Sequence, residues 1–379
     1  MIRILITGDF CPNKRIEQLV LNKNYAEIYN DFLPNLSGND INITNLECPL
    51  INKDSPIQKF GPNLRAREEC VDALTFGNFN LVTMSNNHIM DHGENGLLST
   101  INLCKSNSVY PIGAGRNLEE ASKIKIVEIK NKKISFLNFS EIEFGTAEKE
   151  KAGSNPLSLV KNYNDIKSAR EKADFVIVIV HGGHEGYSLP SPRMVETYRF
   201  FIDAGADVVV GHHTHCFSGY ESYKNGNIFY SLGNFIFDRA TRTTSDWNYG
   251  YAIKLILDKD KVNYNLIPYR QCDKTPGVVL LKDAERSNFY EKIAGLNRII
   301  NDSTTLDKEW ERFSLTKRNS LLINFECCDS SIYRFLRLRK LLPALISEKK
   351  KMRLLNLIRC ESWRDLSLES LKPKTRNTK

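Results

Sequence analysis

The chain has 379 residues, 41% of them hydrophobic and 26% charged, with 13 Pro and 21 Gly; this excludes a single small module and the disordered, collagenous and low-complexity classes. The longest wholly apolar run, Phe175 to Val180, is far short of the ~20 residues that cross a bilayer, and Asp9 interrupts the apolar start before a signal-peptide core forms, so a cytoplasmic protein is expected. The net charge of +8 is unevenly spread: residues 331 to 379 hold 14 Lys/Arg against 4 Asp/Glu, which leaves residues 1 to 330 at −2.

Ile2 to Ile6, Ile41 to Thr44 and Leu81 to Met84 are short β-rich apolar runs bounded by polar residues or Gly, which predicts buried strands. Glu94 to Lys105 has helical spacing. Ile124 to Phe139, with Asn131-Lys132-Lys133 at its centre, reads as an antiparallel hairpin. Leu157 to Glu171 and Pro192 to Ala204 read as helices alternating with strands at Phe175 to Val180 and Val208 to Val210. Asn227 to Leu266, with turn signals at Asp258 to Asp260, reads as a second hairpin, so a second, more antiparallel sheet is expected beside a largely parallel or mixed one. This alternation defines the α/β class.

After about residue 270 the texture changes. Phe289, Ile293, Leu296 and Ile300 stand at helical spacing, and from Tyr333 onward Leu338, Leu341, Leu342, Leu345 and Ile346 lie among Arg and Lys, with Pro343 as a break. Two regions are expected, 1–270 and a mostly helical, basic extension over 271–379. A basic segment of this kind either meets an anionic membrane surface or an acidic partner, or is a solvated helical face. The segment lacks the aromatic interleaving expected of single-strand binding surfaces, which argues against nucleic acid. Nine Cys at irregular spacing fit reduced thiols and not a disulfide framework, and the vicinal Cys327-Cys328 reads as incidental.

All seven His fall in three short clusters: His88 and His92; His181 and His184; His212, His213 and His215. Each cluster follows a predicted strand at its C-terminal end, where open α/β sheets assemble their sites. Oxygen donors stand at equivalent places: Asp9 after the first strand, Glu47 after the second, Asn87 just before His88. Imidazole with carboxylate and amide oxygen suits Mn, Fe or Zn, and the clusters hold too few thiols for a structural thiolate zinc site.

The series Gly8-Asp9, Asn45-Leu46-Glu47-Cys48-Pro49-Leu50, Asn86-Asn87-His88-Ile89-Met90-Asp91-His92-Gly93, Gly113-Ala114-Gly115-Arg116-Asn117, His181-Gly182-Gly183-His184-Glu185, Gly211-His212-His213-Thr214-His215 and Tyr230-Ser231-Leu232-Gly233-Asn234-Phe235 resembles the capsule-synthesis CapA family, also called the poly-gamma-glutamate capsule family, of the calcineurin-like metallophosphoesterase superfamily. The resemblance spans roughly residues 1 to 250. It implies a four-layer α/β/β/α sandwich and two divalent or trivalent transition-metal ions. It assigns Asp9 and His215 to one metal, Asn87, His181 and His213 to the other, and Glu47 to a bridging position. His88 would be the catalytic imidazole, with Asp91 or another nearby carboxylate orienting it.

The chain departs from that superfamily's pattern in four places. Asp9-Phe10-Cys11 replaces Asp-x-His, and Cys11 reads as a buried small hydrophobe in preference to a ligand. Glu47 replaces a bridging Asp. His212 occupies the slot of a Gly, where it either binds metal or contacts substrate. His181-Gly182-Gly183 replaces the family's frequent His-Trp-Gly, which removes an aromatic wall. Arg116 either grips an anionic group or is a surface residue of a Gly-rich turn, and Glu185 and Asn234 are candidates for supporting the ligands. The function expected is a metal-dependent hydrolase, a phosphoesterase acting on an anionic small molecule or polymer in capsule or exopolymer synthesis. The alternative is a non-hydrolytic metal-binding component of a polymer synthesis or export assembly.

Overall fold

The apolar runs that begin at Ile2, Ile41 and Leu81 become parallel neighbours in the computed structural model, which describes residues 1–59, 61–239, 245–259, 261–326 and 330–359. In chain order the strands are β1 (Ile2–Cys11), β2 (Ile41–Leu46), β3 (Leu81–Thr83), β4 (Tyr110–Ile112), β5 (Ala114–Gly115), β6 (Lys125–Ile129), β7 (Lys132–Ser140), β8 (Gly153–Ser154), β9 (Phe175–His181), β10 (Val208–His212), β11 (Tyr220–Tyr223), β12 (Gly226–Phe229), β13 (Asn234–Phe237), β14 (Tyr249–Asp258), β15 (Lys261–Gln271) and β16 (Val278–Leu280). The α-helices are α1 (Arg15–Leu21), α2 (Tyr25–Tyr29), α3 (Val71–Phe76), α4 (Gly93–Ser106), α5 (Leu118–Ala121), α6 (Leu159–Lys172), α7 (Pro192–Ala204), α8 (Asp283–Ile300), α9 (Ser303–Ile323), α10 (Ser331–Leu338) and α11 (Glu348–Arg359).

One sheet runs β16-β15-β14-β1-β2-β3-β4, with β13 also pairing β1; the other runs β11-β12-β10-β9-β7-β6. Because successive strand residues face opposite sides, β1 serves two cores. Ile4 and Ile6 join Ile43 and Ile253 in a core shared with Phe136, Ile177, Ile179 and Val210 of the second sheet. Leu5 and Phe10 join Leu46 and Val82 against Ile16 of α1, Leu74 of α3 and Leu97 and Ile101 of α4. Helices α6 and α7 cover the second sheet, packing on β7, β9, β10 and β12. The result is the α/β/β/α sandwich. Burying each such Ile or Leu side chain contributes about 1.5–3 kcal/mol against leaving it in water.

Local chemistry fixes the element ends. Helix α7 starts where Ser191 Oγ accepts from the Met194 N–H and Pro192 presets the first turn, and it stops at Gly205, φ 118°. The β6–β7 hairpin turns through Lys130 and Asn131, both at positive φ (50° and 62°), as a tight primed turn requires.

Two expectations are corrected. Asn227 to Leu266 is not one hairpin: β12 pairs parallel with β10, β13 pairs parallel with β1, and only β14 and β15 form the hairpin. Nor is the antiparallel structure gathered in a second sheet, because β14–β15 extends the first sheet and β6–β7 the second. The reason is a crossing between sheets at Gly233, φ 76°, where β13 approaches β1 so closely that a Cβ on Gly8 would lie 2.0 Å from the Gly233 carbonyl oxygen.

The chain forms two compact units, Met1–Asp307 and Lys308–Lys379. Helix α8 lies in the first, burying Phe289, Ile293, Leu296 and Ile300. The second contains the rest of α9, with α10 and α11, and Pro343 stands in the non-helical stretch between α10 and α11. Cys327-Cys328 and residues 360 to 379 lie outside the described residues. Cys11, Cys48, Cys70, Cys104, Cys216 and Cys272 are buried and unbridged. Among the described residues, no helix is long and apolar enough to cross a membrane.

Candidate metal centre

Strand ends of both sheets deliver the buried polar groups to one place. The β1 register shifts between Ile6 and Asp9 against β2 and between Asp9 and Phe10 against β13, irregularities of the kind that re-aim a side chain. Glu47 follows β2, Asn87 follows β3, His181 ends β9, and His213 and His215 follow β10. His213 and His215 both hold positive φ, 92° and 56°, an unfavourable backbone for residues with a Cβ and a form of strain that gathers at functional sites.

Two donor sets form, Asp9 with Glu47 and His215, and Glu47 with His181 and His213; within each, the donor atoms lie within 4.8 Å of one another, and Glu47 belongs to both. His181 Nε2 lies 3.0 Å from Asn87 Oδ1, 3.0 Å from His213 Nδ1 and 3.7 Å from Glu47 Oε1. These are mostly lone-pair donors with at most a proton or two to share among them. Both Glu47 oxygens are buried without a hydrogen-bond partner. A buried carboxylate left in this state costs several kcal/mol, and a cation among the donors would satisfy it. The residues present therefore fit a metal.

Electrostatics divide the two carboxylates. Burial pushes the Glu47 carboxyl well above its usual range, reinforced by the neighbouring Asp9 charge. Burial acts the same way on Asp9, but contact with His212 and the nearby His181 and His215 outweigh it and hold Asp9 well below the carboxylate range. Asp9 Oδ1 also accepts from Asn45 Nδ2 (2.8 Å), and Oδ2 accepts from the His213 N–H (3.2 Å). Burial depresses the imidazoles: His181 falls well below its ordinary value, and His215 drops to about 4. Neutral imidazoles are the form that binds a metal.

Supporting contacts surround this core. Asn234 Oδ1 sits 2.9 Å from His215 Nδ1, which leaves Nε2 toward Glu47 Oε1 at 3.6 Å. His212 Nδ1 comes within 3.1 Å of Asp9 Oδ1 but off the line of a hydrogen bond, so both its ring nitrogens are buried without a hydrogen-bond partner. Cys11 joins the apolar core with Phe10 and Leu46 and belongs to neither donor set. His88 Nδ1 lies 2.6 Å from Asp91 Oδ2. Lys59 Nζ bonds Asp91 Oδ1 and approaches His88 Nδ1 to 3.2 Å. Lysine only donates, so the shorter contact decides: Nδ1–H donates to Asp91, and Lys59 pairs with the same carboxylate.

Two sequence candidates stand apart. Arg116 is exposed, its backbone N–H bonded to Glu120 Oε2 (3.1 Å), and it lines a cleft with Lys105, Lys123 and Lys125 and with no member of the histidine cluster. Glu185 is exposed, and its charge reaches Glu47 and His215 only through space. Sequence reasoning missed Lys59, whose side chain is 4% exposed. It also gave no role to Asn86, whose Oδ1 accepts the His88 and Ile89 N–H groups (3.1 and 2.8 Å) and so shapes the turn carrying Asn87 and His88. The Trp247 ring lies tilted 4.5 Å from the His215 ring, an aromatic neighbour supplied from a distant segment while Gly182-Gly183 supplies none. An Asn-Asn-His run after a strand signalled Asn86; nothing in the local sequence signalled Lys59 or Trp247.

A four-layer sandwich with buried imidazoles and carboxylates at its strand ends is of the metallophosphoesterase-like class. Residues 3–239 match the family model for the bacterial capsule synthesis protein PGA_cap, and the chain belongs to that family. It is 32% identical to the capsule biosynthesis protein CapA of Bacillus anthracis over 65% of this chain and 62% of that protein. It is 31% identical to the PGA biosynthesis protein CapA of Bacillus subtilis (strain 168) over 63% of this chain and 64% of that one. The chain thus spans less than two thirds of the length of either relative. Among solved structures, a hypothetical protein from Thermus thermophilus aligns over 71% of this chain and 99% of its own with 14% identity and a TM-score of 0.44.

Proposed function

We propose that this chain is a metal-dependent phosphoesterase serving capsule or exopolymer synthesis, with an anionic small molecule or polymer as substrate. The observation that carries the reading is Glu47, a fully buried carboxylate with no hydrogen-bond partner, shared by two sets of metal-binding donors. Asp9, Glu47 and His215 would hold one ion and Glu47, Asn87, His181 and His213 the other, with Mn, Fe or Zn matching the donors. Such a pair, when bound, supplies Lewis acidity: it lowers the pKa of water and stabilises charge on a phosphoryl group.

The remaining work falls to side chains that are not in the donor sets. Asp91 fixes the His88 ring through Nδ1, so Nε2 is the atom that carries a proton to the leaving oxygen. Lys59, paired with the same carboxylate, holds Asp91 in that orientation. Membership of the capsule-synthesis family supports the biological setting.

A second reading, a non-hydrolytic component that holds an anionic polymer, draws on Cys11, whose place in the apolar core leaves the first donor set with Asp9, Glu47 and His215 alone. Turnover separates the two. Protein purified without chelators should hold about two transition-metal ions per chain and release phosphate or alcohol from phosphomonoesters or phosphodiesters only while they are bound. Metal-loaded protein that binds polyglutamate tightly and hydrolyses nothing would establish the second reading.

A further inference from the structure

Helix α10 reverses the usual pattern of burial. In α10 the inward side chain is Arg337, 8% exposed, with Nε 3.5 Å from Glu326 Oε1, and the Tyr333 hydroxyl donates to the same carboxylate. The outward side chains are Ile332, Phe335 and Leu338, exposed by 73%, 51% and 51%. Their spacing of three residues makes one row along the helix. Helix α11 repeats the row with Met352, Leu355 and Ile358, exposed by 65%, 37% and 53%, and Leu341 and Leu345 are exposed in the connection. Scattered exposed apolar residues need no explanation, but eight within 27 residues, three in a row on each helix, are more than scatter.

Charge selects the occupant. Residues 330–359 hold nine Lys/Arg against Glu348 alone. Arg339 lies over the Phe335 ring at 3.5 Å, and Lys340, Lys349 and Arg353 are exposed beside the rows. A second copy of the chain would set like charge against like charge. Nucleic acid would pair with the cations but leave the aliphatic rows in water. An acidic protein would need grooves matched to both rows. A bilayer containing anionic lipid answers both features without special shape, taking the apolar rows into its acyl boundary and the cations onto its phosphates.

We propose that residues 330–359 form a peripheral membrane-binding element in which α10 and α11 lie in the interface of an anionic bilayer. This inference is independent of the metal-centre reading, and its test does not use turnover. Full-length protein should sediment with vesicles of phosphatidylcholine and phosphatidylglycerol, and not with phosphatidylcholine alone. Raising ionic strength from about 0.1 M to about 1 M, which shortens the Debye length from ~10 Å to ~3 Å, should release most of it. Phe335→Glu with Leu338→Glu should weaken binding about tenfold or more, and Lys349→Gln with Lys350→Gln and Lys351→Gln should do likewise while retaining the wild-type far-ultraviolet circular dichroism. Equal binding to neutral vesicles, indifference to salt, or binding unchanged in both variants overturns the proposal. So does light scattering that shows a dimer abolished by Phe335→Glu while vesicles fail to compete with it.

Discussion

At the strand ends of the sandwich, polar atoms are buried without partners: both Glu47 oxygens and both His212 nitrogens. In residues 330–359, apolar side chains stand in water, Ile332 and Leu341 among them. Each region carries a cost within the isolated chain, and each identifies what would remove it. Unpaired lone pairs call for a cation; exposed methyl groups edged by Lys and Arg call for an amphipathic boundary. Unmet physical demand is therefore informative about ligands in both directions.

The comparison predicts that turnover and stability both depend on the sandwich and neither on the outward rows of residues 330–359. The largest effect is expected at the donor sets: His213→Ala should lose bound metal and phosphoester turnover together, a fall of about 10⁴-fold or more, measured by elemental analysis beside a phosphate-release assay. His88→Ala should cost about 10² to 10⁴ in kcat while metal content stays near wild type. That assay needs an alkyl ester, because a nitrophenolate departs without a proton and would hide the loss. Loss of metal in this variant would make His88 a ligand.

Ile179→Ala, in the core between the sheets, should lower unfolding free energy by about 2–5 kcal/mol in a urea titration. Leu338→Ala in the same titration should change it by no more than about 0.5 kcal/mol, since the side chain is already half in water. A Leu338→Ala loss as large as that of Ile179→Ala would show that the outward row is packed, and would dissolve the contrast between the two regions.

Much of the sandwich was legible because each local signal agreed with the tertiary outcome. Pro192 to Ala204 was read with the bounds that α7 has, since Ser191, Pro192 and Gly205 all mark its ends. The convergence of His181, His213 and His215 followed from their position after strands. What escaped depends on contacts between remote segments. The pairing of β13 with β1 rests on two glycines 225 residues apart in the chain, Gly8 and Gly233. Lys59 looks like any lysine in a polar loop, and only the folding of that loop over His88 and Asp91 buries it. Arg337 belongs to a run of basic residues whose composition gave no sign that one of them points inward. Helical spacing reveals an apolar row, but not whether the row faces a core or the solvent.

Gly8 and Gly211 possess no side chain, yet each adjoins a buried polar residue of the metal centre, Asp9 and His212. A Cβ on Gly211 would lie 2.1 Å from the Tyr230 carbonyl oxygen, as tight as the approach of Gly8 to Gly233. Any larger residue at either place must displace the strand that carries Asp9 or His212. A saturation screen scored on activity would thus rank these two glycines with the histidines, and a tolerance map of this chain would trace the crossing of its strands as sharply as its chemistry.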